Sequence, residues 1–159
     1  IAVEARRWRG GCGANPLAAR GFPAGAERVS LLAPPALKHC EVLYLRLTNS
    51  DAQPLDVSPL YIDGAGGIAA LSLAPVDDVR LAPGETRFVA MRILTRDRAG
   101  RALPTGTERL ALVVSAAGRD RADLRSLADA AVLRSGSGGE LNADGPAIGA
   151  LIYPLQVGG

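Results

Sequence analysis

The sequence predicts an all-β fold, an Ig-like antiparallel β-sandwich of about seven strands with one short helix near residues 119–131. Two observations predict it. From Glu41 to Ala117 apolar residues recur at every second position, as in LYLRLT, RFVAMRI and RLALVVSA, and a period of two sends one face of an extended chain to a core and the other to water. Turn formers such as Asn49-Ser50-Asp51, Asp63-Gly64 and Pro83-Gly84 separate these runs at about 8–12 residues, the spacing of a sandwich or barrel.

Each element has its own signal. Residues 1–8 read as a first strand that ends at Gly10-Gly11. Residues 10–40 are rich in Gly, Pro and Ala and read as a long loop with one short strand near Arg28–Leu32. A loop of that length in a compact domain needs tying down. Cys12 and Cys40 are candidates for the tie: a disulfide would close a loop of roughly 28 residues and stabilise by about 3 kcal/mol on the chain-entropy model. Two reduced thiols, one of them buried as a small hydrophobe, is the equal alternative.

Residues 41–48 form a strand with Leu43, Leu45 and Leu47 on one face and Val42, Tyr44 and Arg46 on the other. Residues 55–62 are the next, and Pro59 within them points to an edge strand or a bulge. A strand over 68–73 follows the Asp63–Gly67 turn. Leu81-Ala82-Pro83-Gly84-Glu85 has Pro and Gly where a type II turn wants them. Residues 86–94 place Val89, Met91 and Ile93 inward, with Arg87 and Arg92 on the other side. Residues 108–116 place Leu110, Leu112 and Val114 inward. Leu124, Leu127 and Ala128 give the helical spacing, SGSGGELNADGP reads as a flexible loop, and a last strand over 148–157 carries Pro154, another edge signal. Residues 1–36 are thus an N-terminal strand and Gly/Pro-rich loop, 37–159 the sandwich, and the whole one structural unit.

Composition bounds the function. The chain has 159 residues, 48% of them hydrophobic, and a net charge of +2, which calls for neither nucleic acid nor a membrane surface as partner. The first 46 residues lean basic and read as a solvated face. No apolar run approaches the roughly 20 residues of a membrane span. The chain begins at Ile1, not Met, and is read as a fragment, a processed product or a trimmed piece whose targeting segment could have been lost. Localisation therefore stays open between cytoplasm and export, with the redox state of Cys12 and Cys40 as the discriminator.

Chemistry is sparse. The one histidine, His39, adjoins Cys40, and neighbours on an extended chain face opposite ways, so they do not form a catalytic dyad. One His and two Cys fall short of a four-ligand zinc site. Asp56 and Asp63 flank one strand, and Asp63, Asp77 and Asp78 are the only acids that suggest a metal, without an EF-hand spacing to go with them. The runs GAGG and GSGG lack the ending of a phosphate loop. The expectation is no catalytic residue, no cofactor and no metal. Tyr44 and Arg46, opposite the leucine stripe, are the candidate interaction surface; packing of Tyr44 within the fold is the rival expectation.

The segments HCEVLYLRLTNS, QPLDVSPLYIDGAGGI, RLAPGETRFVAMRI and GTERLALVVSA, with the tail ADLRSLADAAVLRSGSGGEL, resemble the β-sandwich domain found C-terminal to bacterial caspase-like (clan CD) cysteine peptidase domains. The likeness lies in a strand ending R-x-T-N, a P-x-D-V-x-x-L-Y-x-D strand, an L-x-P-G-E turn and an E-R-L strand. It implies an accessory role, with the His and Cys dyad in an upstream domain and no position here matching it. The expected partner is that peptidase domain, the expected state a monomer. The alternative is a free-standing secreted or cell-surface β-sandwich that binds a carbohydrate or a protein ligand.

Overall fold

The computed structural model describes residues 1–13, 21–33, 35–97, 99–103, 107–126, 128 and 148–158. They form ten strands: β1 (Ala2–Trp8), β2 (Glu27–Val29), β3 (Ala36–Leu37), β4 (Val42–Thr48), β5 (Leu55–Ile62), β6 (Ile68–Ala70), β7 (Arg80–Leu81), β8 (Thr86–Arg92), β9 (Thr107–Ala116) and β10 (Ile148–Val157). One sheet has the order β2-β1-β4-β8; the other has β3-β10-β9-β5-β6, with β7 also on β5. All pairings are antiparallel except β3 with β10. This is the all-β sandwich that the alternation predicts. The strands beyond the expected set, β3 and β7, are two residues long and too short to display a period.

The core is the apolar stripe of each long strand. Leu43, Leu45 and Leu47 of β4 meet Val57 of β5, Val89 and Met91 of β8, Leu110 and Leu112 of β9 and Leu155 of β10. Each fully buried Leu or Val stabilises by about 1.5–3 kcal/mol relative to exposure.

Four expectations need correction. Pro59 does not mark an edge: β5 is interior, paired with β9 along its length and with β7 and β6 on the other side. The Pro59 carbonyl accepts from the Leu71 amide (3.0 Å) on that second side. Both main-chain groups of an antiparallel residue face the same neighbour, so the missing N–H falls in the gap between β7 and β6 and costs the β9 ladder nothing. Pro154, by contrast, does sit on an outer edge, which β3 meets only at Gln156 and Val157.

Arg87 lies on the Val89 face, not opposite it, and is buried. It sits two residues past the turn, and its guanidinium pairs there with Glu85. The strand expected over 68–73 is also shorter, stopping at Ala70.

Of the helix expected near 119–131, the described residues show a 3-10 turn at Leu124–Ser126 and helical backbone at Ala128, Leu127 and residues 129–131 lying outside them, while residues 119–123 are not helical. The reason is competition for backbone donors. The Ala122 amide bonds Asp56 Oδ2 (2.8 Å) and the Leu124 amide bonds Ser58 Oγ (2.9 Å). Asp56 and Ser58 are buried on the outer face of β5 and draw the segment flat across the sheet. The Gly/Ser-rich stretch before β10 lies outside the described residues.

Candidate functional site

The two cysteines and the histidine gather at one end of the first sheet. β1 and β4 are antiparallel neighbours with Trp8 opposite Val42, so the residues after Trp8 and those before Val42 must arrive together. Arg9 Nε pairs with Glu41 Oε1 at 3.2 Å. The chain then turns at Gly11 (φ +77°) and brings exposed Cys12 to Cys40, to which the structure joins it as a disulfide with Cα atoms 4.8 Å apart.

Cys40 is held tightly. Its amide donates to the Ile93 carbonyl (2.8 Å), and Glu41 returns with its own carbonyl to the Ile93 amide (2.9 Å). Its φ is +64°, the left-handed region, which costs a residue with a Cβ about 1–2 kcal/mol.

His39 stands beside the pair. Its Nδ1 accepts from the Thr95 amide at 3.0 Å, and its Nε2 lies 3.7 Å from Cys12 Sγ. A neutral imidazole carries one N–H. Since Nδ1 accepts, that hydrogen sits on Nε2 and points at the sulfur.

Cys12, His39 and Cys40 have the residue types of a metal centre, their ligand atoms lying within 4.8 Å of one another. The donor set does not suit one. It offers three ligands where zinc takes four, two sulfurs are joined, and Nε2 bears the proton that a ligating nitrogen must lack. Asp63, Asp77 and Asp78 do not converge. Asp63 caps its turn by accepting from the Ala65 and Gly67 amides (2.9 and 2.7 Å). Asp77 accepts from the Leu73 amide and pairs with Arg125. Asp78 accepts from the Arg80 amide and pairs with Arg121, and these bonds hold its carboxyl below the usual range.

Tyr44 and Arg46 part company. Tyr44 does lie opposite the leucine stripe, but it is only 2% exposed and is no surface anchor. Trp8 packs on it edge-on with ring centroids 6.3 Å apart. Sequence reading missed the cover: the Trp8 ring fills the space where a Cβ on Gly10 would sit, so the Gly10 break lets the indole fold back over the sheet. Arg46 remains exposed. It pairs with Glu4, as do Arg6 and Arg28, and the Arg6 and Arg46 guanidiniums lie 4.5 and 5.7 Å from the Phe22 ring centre. The Arg6 hydrogen bond, aided by the other two charges, holds the Glu4 carboxyl below its ordinary range.

The sandwich opens on one side. Where the chain crosses from β2 to β3, a groove of about 510 Å³ runs between Ile1, Val3 and Ala5 of the first sheet and Leu151 and Tyr153 of β10. Comparison of the chain with family models, with curated proteins and with solved structures finds no match.

Proposed function

We propose that this chain is a non-catalytic β-sandwich module that works by protein contact, accessory to a bacterial caspase-like cysteine peptidase. One observation carries the non-catalytic part. The chain has a single histidine, which spends Nδ1 on Thr95 and turns Nε2 to a disulfide sulfur. Among the described residues no cysteine or serine nucleophile therefore has a histidine base. The accessory part rests on the resemblance, and the segments that carry it coincide with β4, β5, the Pro83-Gly84 turn and β9. It is thus a likeness of sandwich-building elements.

The second reading, a free-standing exported sandwich that binds carbohydrate or protein, draws support from the Cys12–Cys40 pair, since disulfides persist in oxidising compartments. The intact mass of the native protein, recovered with an antibody to this domain, separates the two. A mass well above 16.4 kDa with upstream peptides containing a His/Cys peptidase dyad supports the accessory reading. A mature product near that mass, with no such parent or partner, removes it and leaves the binding domain.

A further inference from the structure

We propose that Cys12–Cys40 is a reversible thiol–disulfide switch, with Cys12 the attacked sulfur, His39 the donor that holds its thiolate, and the seat of Trp8 on Tyr44 the element it controls. The inference is independent of the peptidase reading. It starts from asymmetry. Cys12 is exposed, while Cys40 is 8% exposed and anchored by its amide to Ile93. An incoming thiolate therefore meets Cys12 Sγ. Exposed disulfides belong to the labile class.

The chemistry balances with a dithiol as reductant. One thiolate of the dithiol attacks Cys12 Sγ, a mixed disulfide forms, and the electron pair of the broken bond leaves on Cys40 Sγ, which takes a proton from solvent. The second thiol of the reductant, as thiolate, then attacks its own sulfur in the mixed disulfide. The dithiol closes to a cyclic disulfide, two electrons having passed to the protein, and Cys12 leaves as a thiolate. The Nε2–H of His39 is aimed at that sulfur, 3.7 Å away in the oxidised chain, and the Thr95 amide on Nδ1 keeps the proton on Nε2. A donor fixed on the thiolate favours the reduced form and makes the bridge easier to open.

The mechanical link runs through few residues. Cys12 is four residues past Trp8, and Gly10 between them lies against the indole ring. With the bridge closed, the Gly10–Cys12 segment is pinned beside the start of β4 and Trp8 is held on Tyr44. With it open, that segment is released at its Cys12 end, and Cys40 loses the bond that helps hold its left-handed backbone. Opening therefore uncovers the Tyr44 face.

Trp8 is the only tryptophan, so its emission reads the switch directly. The full chain is equilibrated in oxidised and reduced dithiothreitol mixtures without denaturant, quenched with a maleimide and mapped by mass. We expect two-state reduction in the folded chain, a red shift of Trp8 emission tracking it, Cys12 labelled faster than Cys40, and recovery on reoxidation. His39→Asn, which keeps an acceptor for Thr95 but removes Nε2, should move the equilibrium about tenfold toward the disulfide, the scale of one hydrogen bond to a charged group. Cys12→Ser should give the reduced emission without any reductant. Reduction that occurs only together with global unfolding, or an unchanged equilibrium in a folded His39→Asn, would overturn the proposal. So would Trp8 emission that is indifferent to complete reduction.

Discussion

The Asn49 side-chain amide donates to the Leu81 carbonyl at 3.0 Å and ties the end of β4 to the turn that leads into β8. The same amide donates to the Gln53 carbonyl (2.9 Å), and its oxygen accepts from the Asp51 amide (2.9 Å). The Asn49 main chain completes the knot, donating to the Glu85 carbonyl and accepting from the Gly84 amide, both at 2.9 Å. Asn49 has no exposed surface.

Asn49→Ala should therefore be among the more damaging single changes. It strips donors from two carbonyls and an acceptor from one amide, and each buried polar group left unpaired costs about 1–3 kcal/mol. We expect a loss of about 3 kcal/mol in urea unfolding at an unchanged m-value. Asn49→Asp should lie near it, because an acid oxygen replaces the donating nitrogen. A loss within 0.5 kcal/mol, about the scale of an ordinary surface change, would show the turns to be held by their main chains alone.

Asp56 gives a pH signature. Arg80 forks onto it, Nε to Oδ1 at 2.8 Å and Nη2 to Oδ2 at 3.0 Å, and Ala122 adds its amide. The Arg80 hydrogen bonds chiefly, against burial, hold the carboxyl below its ordinary 3.8. A depressed folded value contributes stability above the unfolded value, lost as the pH falls through the folded one. The Asp56 contribution to the midpoint temperature should thus be flat above pH 4 and fall below it. Asp56→Asn should lower stability at pH 7 by about 1–3 kcal/mol, and its deficit should close as the parent acidifies below 3.8. A deficit equal at pH 7 and pH 3 would mean that packing, not charge, accounts for it.

How much of this was legible follows from what period carries. The leucine stripe of β4, the alternation of β9 and the Pro83-Gly84 turn are local: two residues fix a face, and Gly84 at φ +74° is what a type II turn demands. The failures are long-range. Nothing near Asp56 or Ser58 says that a segment over sixty residues later will lay its amides on them, so outward polar positions read as wet. Nothing near Pro59 says that its blank side will face a gap between two short strands. The end-of-sheet cluster needs the β1–β4 pairing: Cys12 and Cys40 are candidates by count, whereas adjacency to Cys40 hides His39, whose partner is Cys12.

Tyr44→Ala should lower the melting temperature and not merely a binding constant. The ring is buried under Trp8, and truncating a buried aromatic costs about 3–5 kcal/mol. Burial also raises its hydroxyl above the ordinary tyrosine value. Tyr44→Phe should be tolerated within about 1 kcal/mol, the range of a volume-conserving swap. Arg46→Ala, at an exposed ion pair, should change stability by less than about 1 kcal/mol. Differential scanning calorimetry of the three variants checks the order; Tyr44→Ala matching Arg46→Ala would put the ring in solvent.

Glu108 should give the opposite pH signature to Asp56. It is 4% exposed at the start of β9 and accepts from the Tyr61 hydroxyl. Burial raises its carboxyl above the ordinary 4.5 despite that bond, with the Asp63 charge adding to the rise. Burial and the same bond also raise the Tyr61 hydroxyl. A raised folded value in an acid is a cost, absent below pH 4.5 where both states are protonated and growing as the pH climbs through the folded value. Glu108→Gln keeps an acceptor for Tyr61 and removes the charge, so it should be more stable than the parent at pH 7. The two should converge below pH 4.5, whereas Tyr61→Phe, which leaves the carboxylate without its donor, should be less stable than the parent by about 1–3 kcal/mol at pH 7. Thermal unfolding of the three proteins between pH 3.5 and 8 reads both effects, and a Gln variant less stable than the parent across that range would show the Glu108 side chain to be net stabilising where it sits.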